Sequence, residues 1–67
     1  MYYYSKNEKS EYIEIRNIST ASEEDYDPSY FITFKTIHGL KLRWEYLSKE
    51  VRDKDISEIK ELLKNKN

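Results

Sequence analysis

The chain contains a single glycine, Gly39, and it sits between two runs that read as the arms of a β-hairpin. Residues 30–36 (YFITFKT) and 40–47 (LKLRWEYL) are rich in aromatic and β-branched side chains and alternate with the period of a strand. A two-residue turn at His38-Gly39 would set Phe34 against Arg43 and Lys35 against Leu42, mixing charge with apolar groups on both faces. A three-residue turn, Ile37-His38-Gly39 with Gly39 at positive φ, opposes Phe34 to Leu42, Ile32 to Trp44 and Tyr30 to Tyr46. This second register makes one face wholly apolar, and it is the one the sequence predicts. The other face carries Phe31, Thr33, Lys35, Lys41, Arg43 and Glu45, with Lys35 directly opposite Lys41.

An apolar sheet face needs a cover. Downstream, Ile56, Ile59, Leu62 and Leu63 fall within an arc of about 120° on a helical wheel, with Ser57, Lys60, Glu61 and Lys64 on the other side. Asp55, three residues before Glu58, has the spacing of a capping box, so the predicted helix starts there. Asp53 near its start and Lys64 and Lys66 near its end suit the helix dipole. Four aliphatic side chains at about 1.5–3 kcal/mol each give roughly 6–12 kcal/mol of gross burial. That suffices for a docked helix and not for an isolated one.

Upstream, residues 11–18 alternate with Ile13 and Ile15 on one side, and the tyrosine run Tyr2–Tyr4 pairs with them in a second hairpin. Its register stays open, because Tyr2/Tyr4 and Tyr3 are equally good partners. Between the hairpins, residues 19–29 (STASEEDYDPS) read as a long acidic loop ended by Pro28. The expected fold is α+β: a small antiparallel β-sheet of two hairpins with one C-terminal amphipathic helix on one face, residues 1–67 forming one small domain. This order of elements resembles the small SH3-like chromatin proteins that end in a helix and the sheet-plus-helix DNA-binding domains of some integrases. The resemblance implies nucleic-acid binding, but the near-neutral charge and single glycine depart from those basic or glycine-richer families.

Size and composition then narrow the function. With 67 residues and no cysteine, the chain has neither a disulfide framework nor a thiolate zinc site, and its stability rests on aromatic and aliphatic packing. No apolar run is long enough for a membrane helix, and the N-terminus lacks a signal-peptide layout, so a soluble, cytoplasmic protein is expected. Phe, Tyr, Met, Ile, Asn and Lys supply 30 of the 67 residues against six Gly, Ala, Arg and Pro, the skew that AT-rich codons produce, which fits an AT-rich bacterial, viral or plasmid genome. His38, the only histidine, falls at a hairpin tip, and so small a domain has little volume for a substrate cleft. The expectation is a non-enzymatic protein with no cofactor and no metal.

Three surfaces remain as candidates. The acidic group Glu23, Glu24, Asp25, Tyr26 and Asp27 lacks the spacing of a calcium loop but could imitate phosphates or dock on a basic partner. Tyr2 and Tyr3 belong to a tyrosine-rich terminus of the kind that anchors interfaces. Lys35, Lys41 and Arg43 with Phe31 form a basic, aromatic-flanked sheet face, the alternative nucleic-acid site. Charge is uneven, net −4 over residues 1–34 and +3 over 35–67, while the whole chain is −1. Few cations and an acidic segment disfavour a polyanion. The reading from sequence is a small regulator or inhibitor, expected from a phage or other mobile element, whose partner is another protein, with homodimerisation through strand edges compatible.

Overall fold

The computed structural model describes residues 1–66. A short hairpin of β1 (Tyr2–Tyr4) and β2 (Tyr12–Glu14) leads through a single 3-10 turn (Ile15–Asn17) into a three-stranded antiparallel sheet. That sheet has the order β3 (Ile18–Tyr26), β4 (Ser29–Thr36), β5 (Lys41–Tyr46), and a helix α1 (Lys49–Asn65) follows it. The fold is α+β with antiparallel sheets and one C-terminal helix, as expected.

The Gly39 hairpin has the predicted register. Phe34 faces Leu42, Ile32 faces Trp44, Tyr30 faces Tyr46 and Lys35 faces Lys41, and Gly39 has φ +86°. On the inner face Phe34 and Trp44 meet edge to face with ring centroids 4.7 Å apart. The face is not wholly covered, since Leu42 lies at the sheet margin and stays 44% exposed. Ile32, Phe34, Trp44 and Tyr46 form the core with Ile13, Ile15, Ile18, Ile56, Ile59 and Tyr3.

Two expectations about the strands fail, the first for a physical reason. The acidic stretch expected as a loop is strand β3, with Glu24 opposite Phe31 and Ser22 opposite Thr33. Acidic residues are poor strand formers, but here each finds a cation or hydroxyl across the sheet or on the helix. Asp25 meets Arg52 at 2.8 Å, Glu23 meets Lys60 at 3.7 Å, and Glu24 accepts from the Thr33 hydroxyl. Conversely, the strand expected through residues 11–18 is cut by the 3-10 turn, after which Ile18 belongs to β3.

The helix is capped seven residues before its expected cap, Asp55. Ser48 is the N-cap, its Oγ accepting from the Val51 N–H at 3.3 Å. Asp55 is therefore no cap but an interior residue, and it is fully buried. The stripe facing the sheet is Arg52, Asp55, Ile56 and Ile59, a helical spacing that includes two charged residues. Leu62 and Leu63 pack only partly against the core.

Candidate functional site

The two buried charges fasten the helix at two points. Asp55 Oδ2 accepts from the Tyr46 hydroxyl at 2.6 Å and the Lys6 backbone N–H at 2.9 Å, and its Oδ1 accepts from the Tyr3 hydroxyl at 2.9 Å. The single Tyr3 proton is shared between Asp55 and Glu58 Oε1, which lies at 2.7 Å and where Lys6 Nζ arrives at 3.1 Å. Burial, with hydrogen bonds to Glu58 and Asp55, pushes the Tyr3 hydroxyl far above the ordinary tyrosine range. Burial and the bond to Asp55 do the same to Tyr46. The Tyr3 hydroxyl and then Lys6 hold Glu58 below the usual carboxylate range.

One turn earlier, Arg52 is 1% exposed and lies over the Tyr30 ring at 5.5 Å. Its guanidinium donates to the Glu24 and Phe31 carbonyls at 3.0 and 3.2 Å and to the Asp25 and Asp53 carboxylates, both at 2.8 Å. Burial disfavours its charge, but the Asp53 and Asp25 hydrogen bonds prevail and raise its pKa. Every polar side-chain atom fully buried among the described residues has a partner. A satisfied network of this kind positions α1 on both the N-terminal hairpin and the β3–β4 pair.

Tyr3 is thus a core residue and no surface anchor. Its neighbours Tyr2 and Tyr4 point the other way, as strand alternation requires, and are 56% and 63% exposed. The observed register sets Tyr4 opposite Tyr12 and Tyr3 opposite Ile13. Tyr12, 60% exposed, consequently lies between the other two rings, with centroids 5.8 Å from Tyr2 and 5.6 Å from Tyr4. Sequence reasoning missed Tyr12. Its signal was there, since pairing Tyr3 with Ile13 is the register that puts one apolar pair inside and three tyrosines outside.

The acidic and basic candidates, argued separately from sequence, touch each other on the outer sheet face. Arg43 lies 3.5 Å from Glu24 and over the rings of Tyr26 at 5.6 Å and Phe31 at 5.5 Å. The Thr33 hydroxyl, then Tyr26 and Arg43, hold Glu24 below the usual carboxylate range. Lys35 and Lys41 face each other without an ion pair among the described residues. Asp27, in the β3–β4 turn, is exposed, as is His38 in the Gly39 turn. Among the described residues no group of three or more His, Cys, Asp or Glu is placed to hold a metal ion, and no helix is long and apolar enough to cross a membrane.

Compared with family models, with curated proteins and with solved structures, the chain gives no match in any of the three.

Proposed function

We propose that the protein is a non-enzymatic binding module, a small regulator or inhibitor that docks on another protein through the outer face of its N-terminal hairpin. One observation carries this reading: Tyr2, Tyr4 and Tyr12 are each more than half exposed and form one patch, Tyr12 meeting Tyr2 edge-on and Tyr4 at a tilt, on a hairpin anchored from behind by Tyr3. Tyrosine offers a large apolar area at small entropic cost and keeps a hydroxyl for the wet rim, which is why it is enriched at interface hot spots. The buried Tyr3–Asp55 bond ties the strand to α1, which favours presenting the three rings in one arrangement. The test is capture from the producing cell with the wild type and with the Tyr2→Thr, Tyr4→Thr, Tyr12→Thr variant, folding checked by far-UV circular dichroism. A partner held by the wild type and lost by the folded variant supports the reading. Equal capture by both sinks it.

A second reading, nucleic-acid binding by the outer sheet face, is favoured by the adjacent Lys35 and Lys41. It is weighed down by Arg43, which already has Glu24 as counter-ion. Fluorescence anisotropy with single- and double-stranded oligonucleotides at about 0.15 M salt separates the two, because phosphate contacts would show as steeply salt-sensitive binding.

A further inference from the structure

Strand β3 has nine residues, more than any other strand among the described residues, and forms one edge of its sheet. In an antiparallel pair, alternate residues turn their backbone groups toward the neighbour and away from it. Here the alternation is set from both ends of β4. The two-residue Asp27-Pro28 turn closes on Tyr26 opposite Ser29, which makes Glu24–Phe31 and Ser22–Thr33 the hydrogen-bonded pairs. At the Gly39 turn the Thr36 N–H donates to the Leu40 carbonyl at 2.8 Å, and counting back from there along β4 gives the same result. The N–H and C=O of Ala21, Glu23 and Asp25 therefore face outward from the sheet. Among the described residues no turn, loop or cap backbone group bonds to them.

Such a row of free groups is a template for another strand. The opposite edge, β5, is partly occupied, since Asn7 Nδ2 donates to the Glu45 carbonyl at 3.2 Å and Lys9 pairs with the Glu45 carboxylate. On β3 only the Ile18 end is irregular, where the register shifts before Thr20.

We propose that the β3 edge takes up an extended, basic segment of a partner protein as an added strand. Charge complementarity selects this occupant. Strand β3 carries Glu23, Glu24 and Asp25 and no cation, and the side chains of Glu23 and Asp25 remain 51% and 58% exposed despite their ion pairs. Lys or Arg at alternate positions of an added strand would all point to the helix face and meet Glu23 and Asp25 there, while Glu24 on the outer face keeps Arg43. A second copy of this chain fits badly, because antiparallel pairing centred on Glu23 opposes that carboxylate to its own copy. Backbone bonds then supply affinity and the alternate side chains supply selectivity. The proposal rests on the reading of the protein as a binding module, but it uses other residues than the tyrosine face and is tested with a defined peptide, so either can fail alone.

The experiment titrates the full-length, 15N-labelled protein with an end-blocked peptide of alternating Lys and Thr, about as long as β3. A peptide with Glu in place of Lys serves as the control. Expected are shifts and gained exchange protection at the amides of Ala21, Glu23 and Asp25 with the Lys peptide alone. Ala21→Pro removes one outward donor and leaves the ladder to β4 intact. It should weaken binding by about 2- to 10-fold, the worth of one hydrogen bond. Glu23→Gln should weaken it by less, and both variants should keep the wild-type spectrum elsewhere. Unchanged β3 amides at millimolar Lys peptide, or equal affinity for the Glu peptide, would overturn the proposal. So would concentration-dependent protection of these amides without peptide, which would make a second copy the occupant.

Discussion

Replacing Asp55 by Ala asks whether a buried carboxylate, and not the aliphatic stripe alone, fixes the helix. The side chain is 0% exposed and accepts three short bonds, from Tyr46 at 2.6 Å, Lys6 N–H at 2.9 Å and Tyr3 at 2.9 Å, with Ser5 Oγ further away at 3.4 Å. Hydrogen bonds to a charged group are worth about 1.5–3 kcal/mol each, and with the Tyr3 proton shared with Glu58 two to three of them sum to roughly 3–9 kcal/mol if nothing compensates. Compensation is partial. Tyr3 keeps Glu58 at 2.7 Å and Tyr46 keeps Ser5 at 3.1 Å, whereas the Lys6 N–H loses its acceptor. The expected cost is about 3–5 kcal/mol, the range for breaking one side of a buried charged network. At about 0.05–0.15 kcal/mol per residue, a chain of this length has only roughly 3–10 kcal/mol to lose. Urea unfolding followed by far-UV circular dichroism measures it. Tyr46→Phe, which removes one donor and keeps the packing, should cost about 1–3 kcal/mol and gives a reading if Asp55→Ala does not fold. A loss below about 1 kcal/mol for Asp55→Ala would refute the reasoning and return the helix to its aliphatic residues.

Alkaline pH should destabilise the fold, because the buried hydroxyls of Tyr3 and Tyr46 have raised pKa values. Their stabilisation is full below the unfolded tyrosine pKa of about 10 and falls above it by up to about 1.4 kcal/mol per pH unit for each. Urea midpoints across that range measure this, and Tyr3→Phe with Tyr46→Phe should flatten the slope. Gly39→Val should cost more than about 1 kcal/mol, since φ is +86° there and a β-branched residue resists that conformation; an unchanged urea midpoint would contradict it. Were Glu23, Glu24, Asp25 and Asp27 loop residues, neutralising them together would change stability by no more than about 0.5 kcal/mol. The Arg52 bond changes that expectation: Asp25→Asn alone should cost about 0.5–1 kcal/mol, a figure kept small because Asp25 is 58% exposed, and a thermal melt would show it.

Legibility followed periodicity. The Gly39 hairpin could be read to the residue because a slip of one position flips every side chain to the wrong face, and only one register separates Ile32, Phe34, Trp44 and Tyr46 from the charges. The helix could be read only in its second half, where the stripe is aliphatic. Its first half puts Arg52 and Asp55 on the same stripe, and a pattern that counts charges as solvent-facing must start the helix too late. Strand β3 could not be read at all from its own residues. Its strand character comes from Arg52, Lys60, Thr33 and Arg43, which are distant in sequence, so propensity was overridden by tertiary partners. The tyrosine face was half legible: the run Tyr2–Tyr4 stood out, but which tyrosines face out depended on the pairing of Tyr3 with Ile13.

The claim that the hairpin's tyrosine face meets another protein is tested most directly by hydrogen exchange on the protein with and without its captured partner. The account predicts added protection in Tyr2–Tyr4 and Tyr12–Glu14, with the core amides of β4 unchanged. Protection confined to the Lys35/Lys41 region, appearing with oligonucleotide and without any protein partner, would contradict it.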